Sequence, residues 1–301
     1  MPDTLAATLV TTLVAAEGLS QADIATAREA LRAAGGEVAA EHGFDPPFAA
    51  DLRFSGLSQR TARAALEAAL PALDVVVQSD SPSRRKRLLV ADMDSTMIRQ
   101  ECIDELADFA GLKAEIAAIT ERAMHGELDF AEALDARVAA LAGLEKSAID
   151  RCLAERIELM PGAITLIRTM KKLGARTVLV SGGFTAFTGP IAAEIGFDRQ
   201  LANLLHVDGG KLSGTVGRPI IDSSRKRQTL IEERAALGLA DHDTLAIGDG
   251  ANDILMLQEA GLGLAYHAKP KAADAADAAI RHGDLRVALW AQGISSGLWA
   301  S

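Results

Sequence analysis

Leu88-Leu89-Val90-Ala91-Asp92-Met93-Asp94-Ser95-Thr96 decides the fold. Four apolar residues in a row, with no alternation, read as a strand buried on both faces, the habit of a parallel sheet covered by helices. The run breaks into two carboxylates and two hydroxyls, and the same grammar recurs twice downstream. Thr177–Val180 ends in Ser181-Gly182-Gly183, and Thr244–Ile247 ends in Gly248-Asp249-Gly250-Ala251-Asn252-Asp253. Helical patterns lie between these strands: one from Pro161-Gly162 to Leu173-Gly174 and one over Ser224–Leu237. Strands alternating with helices predict a doubly wound α/β sheet. Gly263–Ala265 and Ala279–Ile280 are weaker strand candidates, and Asn203–Val207 and Lys211–Val216 flank Asp208-Gly209-Gly210 as a hairpin.

Open α/β sheets bind ligands beyond the carboxyl ends of their strands, so the three polar clusters converge on one crevice. Carboxylates packed this closely repel unless a cation lies among them. Oxygen donors without His or Cys select a hard ion, and Mg²⁺ is the usual choice beside phosphate. The glycines bare backbone N–H groups able to cradle an anion. Taken singly, an Asp-x-Asp after a strand is more often a turn, and Ser-Gly-Gly a loop. Their order and shared placement after strands carry the reading. Between the first and second strands, residues 101–158 are helical in pattern with no strand candidate, so they form a cap inserted above the sheet.

Upstream, residues 1–80 read as a separate small unit. Leu5–Leu13 is β-rich, and Ser20 with Asp23 makes an approximate capping box for a helix burying Ile24, Ala27, Leu31 and Ala34, stopped by Gly35-Gly36. Glu37–Ala40 and Ala49–Phe54 follow as short strands, then a helix from Leu57-Ser58 to Leu70 and a β-branched run Leu73–Val77. The order β-α-β-β-α-β is ferredoxin-like. Residues 81–87 read as a solvated linker, with Arg84-Arg85-Lys86-Arg87 facing water, and 88–301 as the main domain.

The chain has 301 residues and a net charge of −10, which argues against a nucleic-acid partner, whose mark is a basic stripe. No apolar run is long enough to span a membrane, and Met1–Ala16 lacks the basic leader of a signal peptide. Two cysteines, Cys102 and Cys152, exclude a disulfide framework and suit a reducing cytoplasm. No P-loop or zinc-binding pattern occurs.

Asp92-Met93-Asp94-Ser95-Thr96 resembles the first motif of the haloacid dehalogenase superfamily of phosphatases; Ser181, Lys226 and Gly248–Asp253 resemble its second, third and fourth. The resemblance runs from Leu88 to about His282. It implies a Rossmann-like core, a helical cap and a Mg²⁺-dependent enzyme acting on a small phosphomonoester. Asp92 would be the nucleophile, Asp94 the general acid/base, its carboxyl raised by the neighbouring acids, and Lys226 the charge on the phosphoryl group. Ser181 and Gly182 would bind phosphate oxygens. Asp92, the Asp94 carbonyl and Asp249 would hold the metal, supported by Asp253 and Asn252.

Glu101–Glu105, Thr120–Phe130, Met160-Pro161-Gly162 and Gly263–Lys271 resemble the members that act on phosphoserine. This implies hydrolysis of O-phospho-L-serine, with Glu101 on the ammonium, Arg137 on the carboxylate, and Met124 and Phe130 walling off water. Without the resemblance, Arg137 would read as an ion pair with Asp135 or Glu132. Residues 1–80 are similar to the ACT-like extension of many bacterial members, which leaves two uses open: binding an amino-acid effector, or a homodimer contact.

Overall fold

The computed structural model describes residues 8–125 and 127–301, without the side chains of residues 40–43 and 124. Its first unit consists of β1 (Leu9–Val14), α1 (Gln21–Ala33), β2 (Glu37–Asp45), β3 (Ala49–Ser55), α2 (Gln59–Ala69) and β4 (Asp74–Ser79). The antiparallel sheet runs β2-β3-β1-β4, with both crossover helices on one face. Ser20 caps α1 through the reciprocal pair with Asp23, and Ser58 caps α2. Leu13, Leu52 and Phe54 meet Leu31 and Leu66 on that face. The expected run from Leu5 begins outside the described residues. β2 is longer than expected because two register shifts let it follow β3 past residues with little strand propensity.

Val14, Ala49 and Val76 belong instead to the apolar cluster of the main domain, so the other sheet face is covered too. At this seam the basic run 84–87, expected to face water throughout, does so only at Arg85 and Arg87. Arg84 and Lys86 are buried. Arg84 meets Asp51 at 2.6 and 2.8 Å, Thr12 Oγ1 at 2.8 Å and the Ala291 carbonyl at 2.8 Å. Lys86 Nζ donates to the His242 carbonyl at 2.9 Å. Arg84 stitches the two units together, and Lys86 anchors the connecting segment to the second. Asp74 does the same at the sheet edge: its carboxylate accepts the N–H groups of Arg281, His282 and Gly283 at 2.6–3.1 Å.

The main domain begins with β5 (Leu88–Ala91), followed by the cap helices α3 (Cys102–Phe109), α4 (Lys113–Met124), α5 (Phe130–Ala140) and α6 (Ser147–Arg156). Then come α7 (Ala163–Lys172), β6 (Arg176–Phe184), α8 (Thr185–Ile195), β7 (Arg199–Asn203), β8 (Leu205–Asp208), β9 (Lys211–Val216) and α9 (Ser223–Ala236). The chain closes with β10 (Thr244–Gly248), α10 (Ile254–Glu259), β11 (Leu262–Tyr266), α11 (Pro270–Ala275), β12 (Ala278–Ile280) and α12 (Val287–Ala291). The six-stranded sheet has the order β12-β11-β10-β5-β6-β7, and every pair is parallel. Leu88 and Val90 face the α9–α11 side, while Leu89 and Ala91 face α7, α8 and α12, as the unbroken apolar run requires.

Two strands leave β5 on opposite sides, so the switch point lies at its carboxyl end. The cap hangs there on a short stem: Arg99 N donates to the Glu158 carbonyl at 3.0 Å and Met160 N to the Met97 carbonyl at 2.9 Å. The hairpin β8–β9 turns through Gly209 and Gly210, whose φ of 56° and 83° suit a two-residue turn. It grips the back of the cap through Gly143 N to the Leu212 carbonyl and Leu212 N to the Leu144 carbonyl, both 2.8 Å.

Candidate active site

The strand ends and the cap enclose a cavity of about 420 Å³. Asp92, Asp94, Asp249 and Asn252 line its floor, and Glu101, Phe130 and Arg137 its cap side. Below the floor Lys226 is fully buried, with Nζ at 2.7 Å from Asp92 Oδ1 and 2.8 Å from Asp253 Oδ1. The first turn of α9 presents it: Asp222 caps the helix, accepting Arg225 N at 2.8 Å. Its neighbour Arg225 points away to Glu232 at 2.7 Å. Asp253 is anchored further by Gly250 N at 3.1 Å, and Asp249 by Thr96 Oγ1 at 3.3 Å.

One carboxylate oxygen each from Asp92, Asp249 and Asp253 lie within 4.8 Å of one another. Three hard oxygen donors so placed fit a hard divalent cation. The Asp94 carboxylate is not among them: Oδ1 accepts Cys102 N at 2.9 Å and Oδ2 accepts Ser181 Oγ at 3.3 Å. Ser181 is buried and its Oγ also accepts Gly183 N at 2.8 Å.

The carboxyls are held against their preference. Burial, and then Asp253, raises Asp92 well above the ordinary carboxylate range against the pull of Lys226. Burial also raises Asp94, while Cys102, Lys226 and Ser181 pull it back. The expected cause, repulsion by neighbouring acids, is therefore corrected to desolvation. Asp249 is pushed up to about 6 by burial and then Asp253. Burial alone would lower Lys226, but Asp253 and Asp92 hold its ammonium above the usual value. Burial and Asp94 push the Cys102 thiol up, so it stays protonated as a small core residue.

On the cap, Asp129 and Glu132 form a capping box that starts α5 at Phe130. The Phe130 ring lies over Gly182, where a Cβ would meet its Cζ at 3.2 Å. Arg137 is not the ion pair its neighbours suggest: Asp135 pairs with Arg218, and the Glu132 carboxylate accepts Asp129 N. Arg137 lies back along α5, with Nε donating to the Ala133 carbonyl at 3.2 Å, and faces Asp104 and Glu101. Glu101 accepts Ser95 Oγ at 2.8 Å and is pushed up to about 7 by burial and then Asp94. The Met124 side chain lies outside the described residues. Sequence reasoning missed Asp104 and Lys269, which also line the cavity. Asp104 sits one helical turn after Glu101 and was legible as a second acid on that face.

The profile of the haloacid dehalogenase-like hydrolases matches residues 89–258, more than half of the chain, and the chain belongs to that family. A phosphoserine phosphatase of Mycobacterium tuberculosis is 48% identical over 71% of this chain and 52% of its own length. The chain thus spans about half the length of that relative. A phosphoserine phosphatase of Polaromonas is 47% identical over 66% of this chain and 86% of its own. An unliganded probable phosphoserine phosphatase from Vibrio cholerae superposes with a TM-score of 0.74 at 30% identity, covering 95% of this chain and 88% of that one. Within the hydrolases the chain is thus similar to proteins named as phosphoserine phosphatases.

Proposed function

We propose that this protein is a Mg²⁺-dependent phosphatase that converts O-phospho-L-serine to L-serine and inorganic phosphate, the closing step of serine synthesis. One observation carries the reading: Asp92, Asp94 and Lys226 meet beneath a cavity whose cap side offers a carboxylate and a guanidinium together. Phosphoserine has an anionic phosphate at one end and an ammonium and a carboxylate at the other. Glu101 and Arg137 on the cap side complement the ammonium and the carboxylate, while at the acidic floor Lys226 and a bound divalent cation would offset the phosphate charge.

Asp92 attacks phosphorus in line; the P–O bond to serine breaks as an aspartyl-phosphate forms. Asp94, whose carboxyl burial raises above its ordinary range, gives a proton to the departing serine oxygen. It then takes a proton from the water that attacks the aspartyl-phosphate, which releases phosphate and restores Asp92. Lys226 compensates the charge of Asp92 and of the phosphoryl oxygens. The Ser181 hydroxyl and Gly182 N–H bind phosphate oxygens, and Asn252 borders the same subsite. Asp92, Asp249 and the Asp94 carbonyl, with Asp253 behind them, would hold Mg²⁺, which when bound offsets repulsion between Asp92 and the phosphate. Glu101 meets the ammonium, Arg137 forks onto the carboxylate, and Phe130 with Met124 covers the substrate. Two buried, unpaired cysteines suit a reducing cytoplasm.

The test is phosphate release from O-phospho-L-serine, O-phospho-L-threonine and p-nitrophenyl phosphate, with Mg²⁺ or EDTA. Metal-dependent release favouring phosphoserine and lost in Asp92→Asn is expected. Turnover of p-nitrophenyl phosphate alone would keep the chemistry and discard the roles of Glu101 and Arg137. No release from any ester would reject the reading.

A further inference from the structure

β6 and β7 do not stay in register through the phosphate-binding motif. Val180 pairs with Leu201, and the next pairing is Phe184 with Asn203. Four steps along β6 therefore oppose two along β7, and Ser181-Gly182-Gly183 is thrown out of the ladder as a bulge. Such a bulge re-aims backbone groups toward a site, at the cost of leaving a strand carbonyl without its ladder partner. Here that carbonyl belongs to Gly182, and a side chain takes over. Asn203 Nδ2 donates to the Gly182 carbonyl at 2.8 Å. The same amide works on its other side: Asn203 Oδ1 accepts Ile221 N at 2.8 Å. Asn203 is only 2% exposed, so no water competes for either bond.

Ile221 immediately precedes Asp222, the cap of the helix that carries Lys226. One buried amide thus ties the peptide that offers Gly182 N–H to the start of the helix that offers the ammonium. The two come from distant parts of the chain, and among the described residues no backbone hydrogen bond joins them directly. Both jobs require a donor and an acceptor on one short planar group, which among side chains of this length only Asn provides.

We propose that Asn203 is a positioning residue of the phosphate subsite: it sets the orientation of the Gly182 peptide relative to Lys226 without touching substrate. The inference rests on the phosphatase reading above and extends it to a residue outside the motifs. Inorganic phosphate, the product, is the probe, so no turnover is required. Calorimetric titration of the full-length protein with phosphate in Mg²⁺ should show about a tenfold weaker affinity in Asn203→Ala, the effect of one lost charge-assisted hydrogen bond. kcat should fall for phosphoserine and p-nitrophenyl phosphate by the same factor, leaving the ratio of their KM values unchanged. Thr188→Val is the stability control. It removes a buried hydroxyl bonded to Gln200 on the same strand, away from the cavity. It should lower Tm and leave phosphate affinity intact. Should Asn203→Ala not fold, Asn203→Ser, which keeps a hydroxyl for one of the two bonds, is expected to lie between wild type and the predicted loss.

Wild-type phosphate affinity in the Asn203 variants, or an equal loss in Thr188→Val at matched Tm, would overturn the proposal. Absence of phosphate binding by wild type would overturn it as well. Absence of ester turnover with phosphate binding intact would reject the phosphatase reading while leaving the role of Asn203 decided by the titration.

Discussion

The acidic floor predicts a large response to metal. Asp92, Asp94, Glu101 and Asp249 line the cavity, with Asp253 paired to Lys226 beneath it, and burial disfavours the ionised forms of Asp92, Asp94, Asp249 and Glu101. Asp249 is raised to about 6 from 3.8, so at pH 7.5 it is ionised in the fold at a cost that is absent from the unfolded chain. A cation that binds only the folded protein adds about 2.7 kcal/mol at a hundredfold excess over its Kd. For a chain of this size that is roughly 5 °C in Tm, at about 2 °C per kcal/mol. The assay is a thermal scan of EDTA-stripped protein at pH 7.5 against rising Mg²⁺. In Asp249→Asn the metal-free protein should melt no lower than metal-free wild type, because a strained carboxylate has been neutralised, and the Mg²⁺ shift should vanish. At pH 5 the wild-type shift should shrink, since protons then compete for Asp249. An equal Mg²⁺ shift in wild type and Asp249→Asn, or none in wild type, would refute the reasoning.

Three further outcomes follow from the same geometry. Lys226→Ala should abolish turnover while Arg225→Ala, whose side chain pairs outward with Glu232, should retain it; similar losses in both would misplace the cation. Glu101, raised to about 7, must be ionised to meet an ammonium, so kcat/KM for phosphoserine relative to p-nitrophenyl phosphate should climb up to about tenfold from pH 6 to 8, and Glu101→Gln should flatten that ratio. Arg84→Met strands the buried Asp51 carboxylate and should cost about 3–5 kcal/mol in urea unfolding, most of it regained in Arg84→Met with Asp51→Leu; an additive double variant would show the pair to be uncoupled.

The acidic floor was legible because each part follows a short apolar strand, and residues that share a strand end share a place in space. Asp92, Ser181 and Asp249 follow from that rule alone. Lys226 was legible only through the resemblance, since three consecutive cations look alike until α9 turns Arg225 outward and Lys226 inward. Asn203 carried no signal, because its partners are a carbonyl and an N–H that exist at every position of a chain. The basic run 84–87 misled for a related reason. A cation cluster reads as solvated unless its anion is known, and Asp51, hidden in an apolar strand, gives no hint that it faces Arg84. β7 escaped notice because Arg199-Gln200-Leu201-Ala202-Asn203 is an edge strand with little apolar content.

Asp74 and Asp51 share a feature with consequences for how the protein is made. Their partners in the second unit lie at residues 281–283 and, through Arg84, at the carbonyls of Trp290 and Ala291. Asp74 is 207 residues ahead of Arg281 in the chain. At the usual ribosomal pace of about 5–20 residues per second, roughly 10–40 seconds separate their emergence. Through that interval the first sheet can close its helical face but not its other one, which carries Val14, Ala49 and Val76 in the open. Closure of that face therefore waits for residues 281–291. A nascent chain halted before residue 281 should present an apolar sheet face to the cell's chaperones, though Asp92 and all three strand-end motifs have already been synthesised.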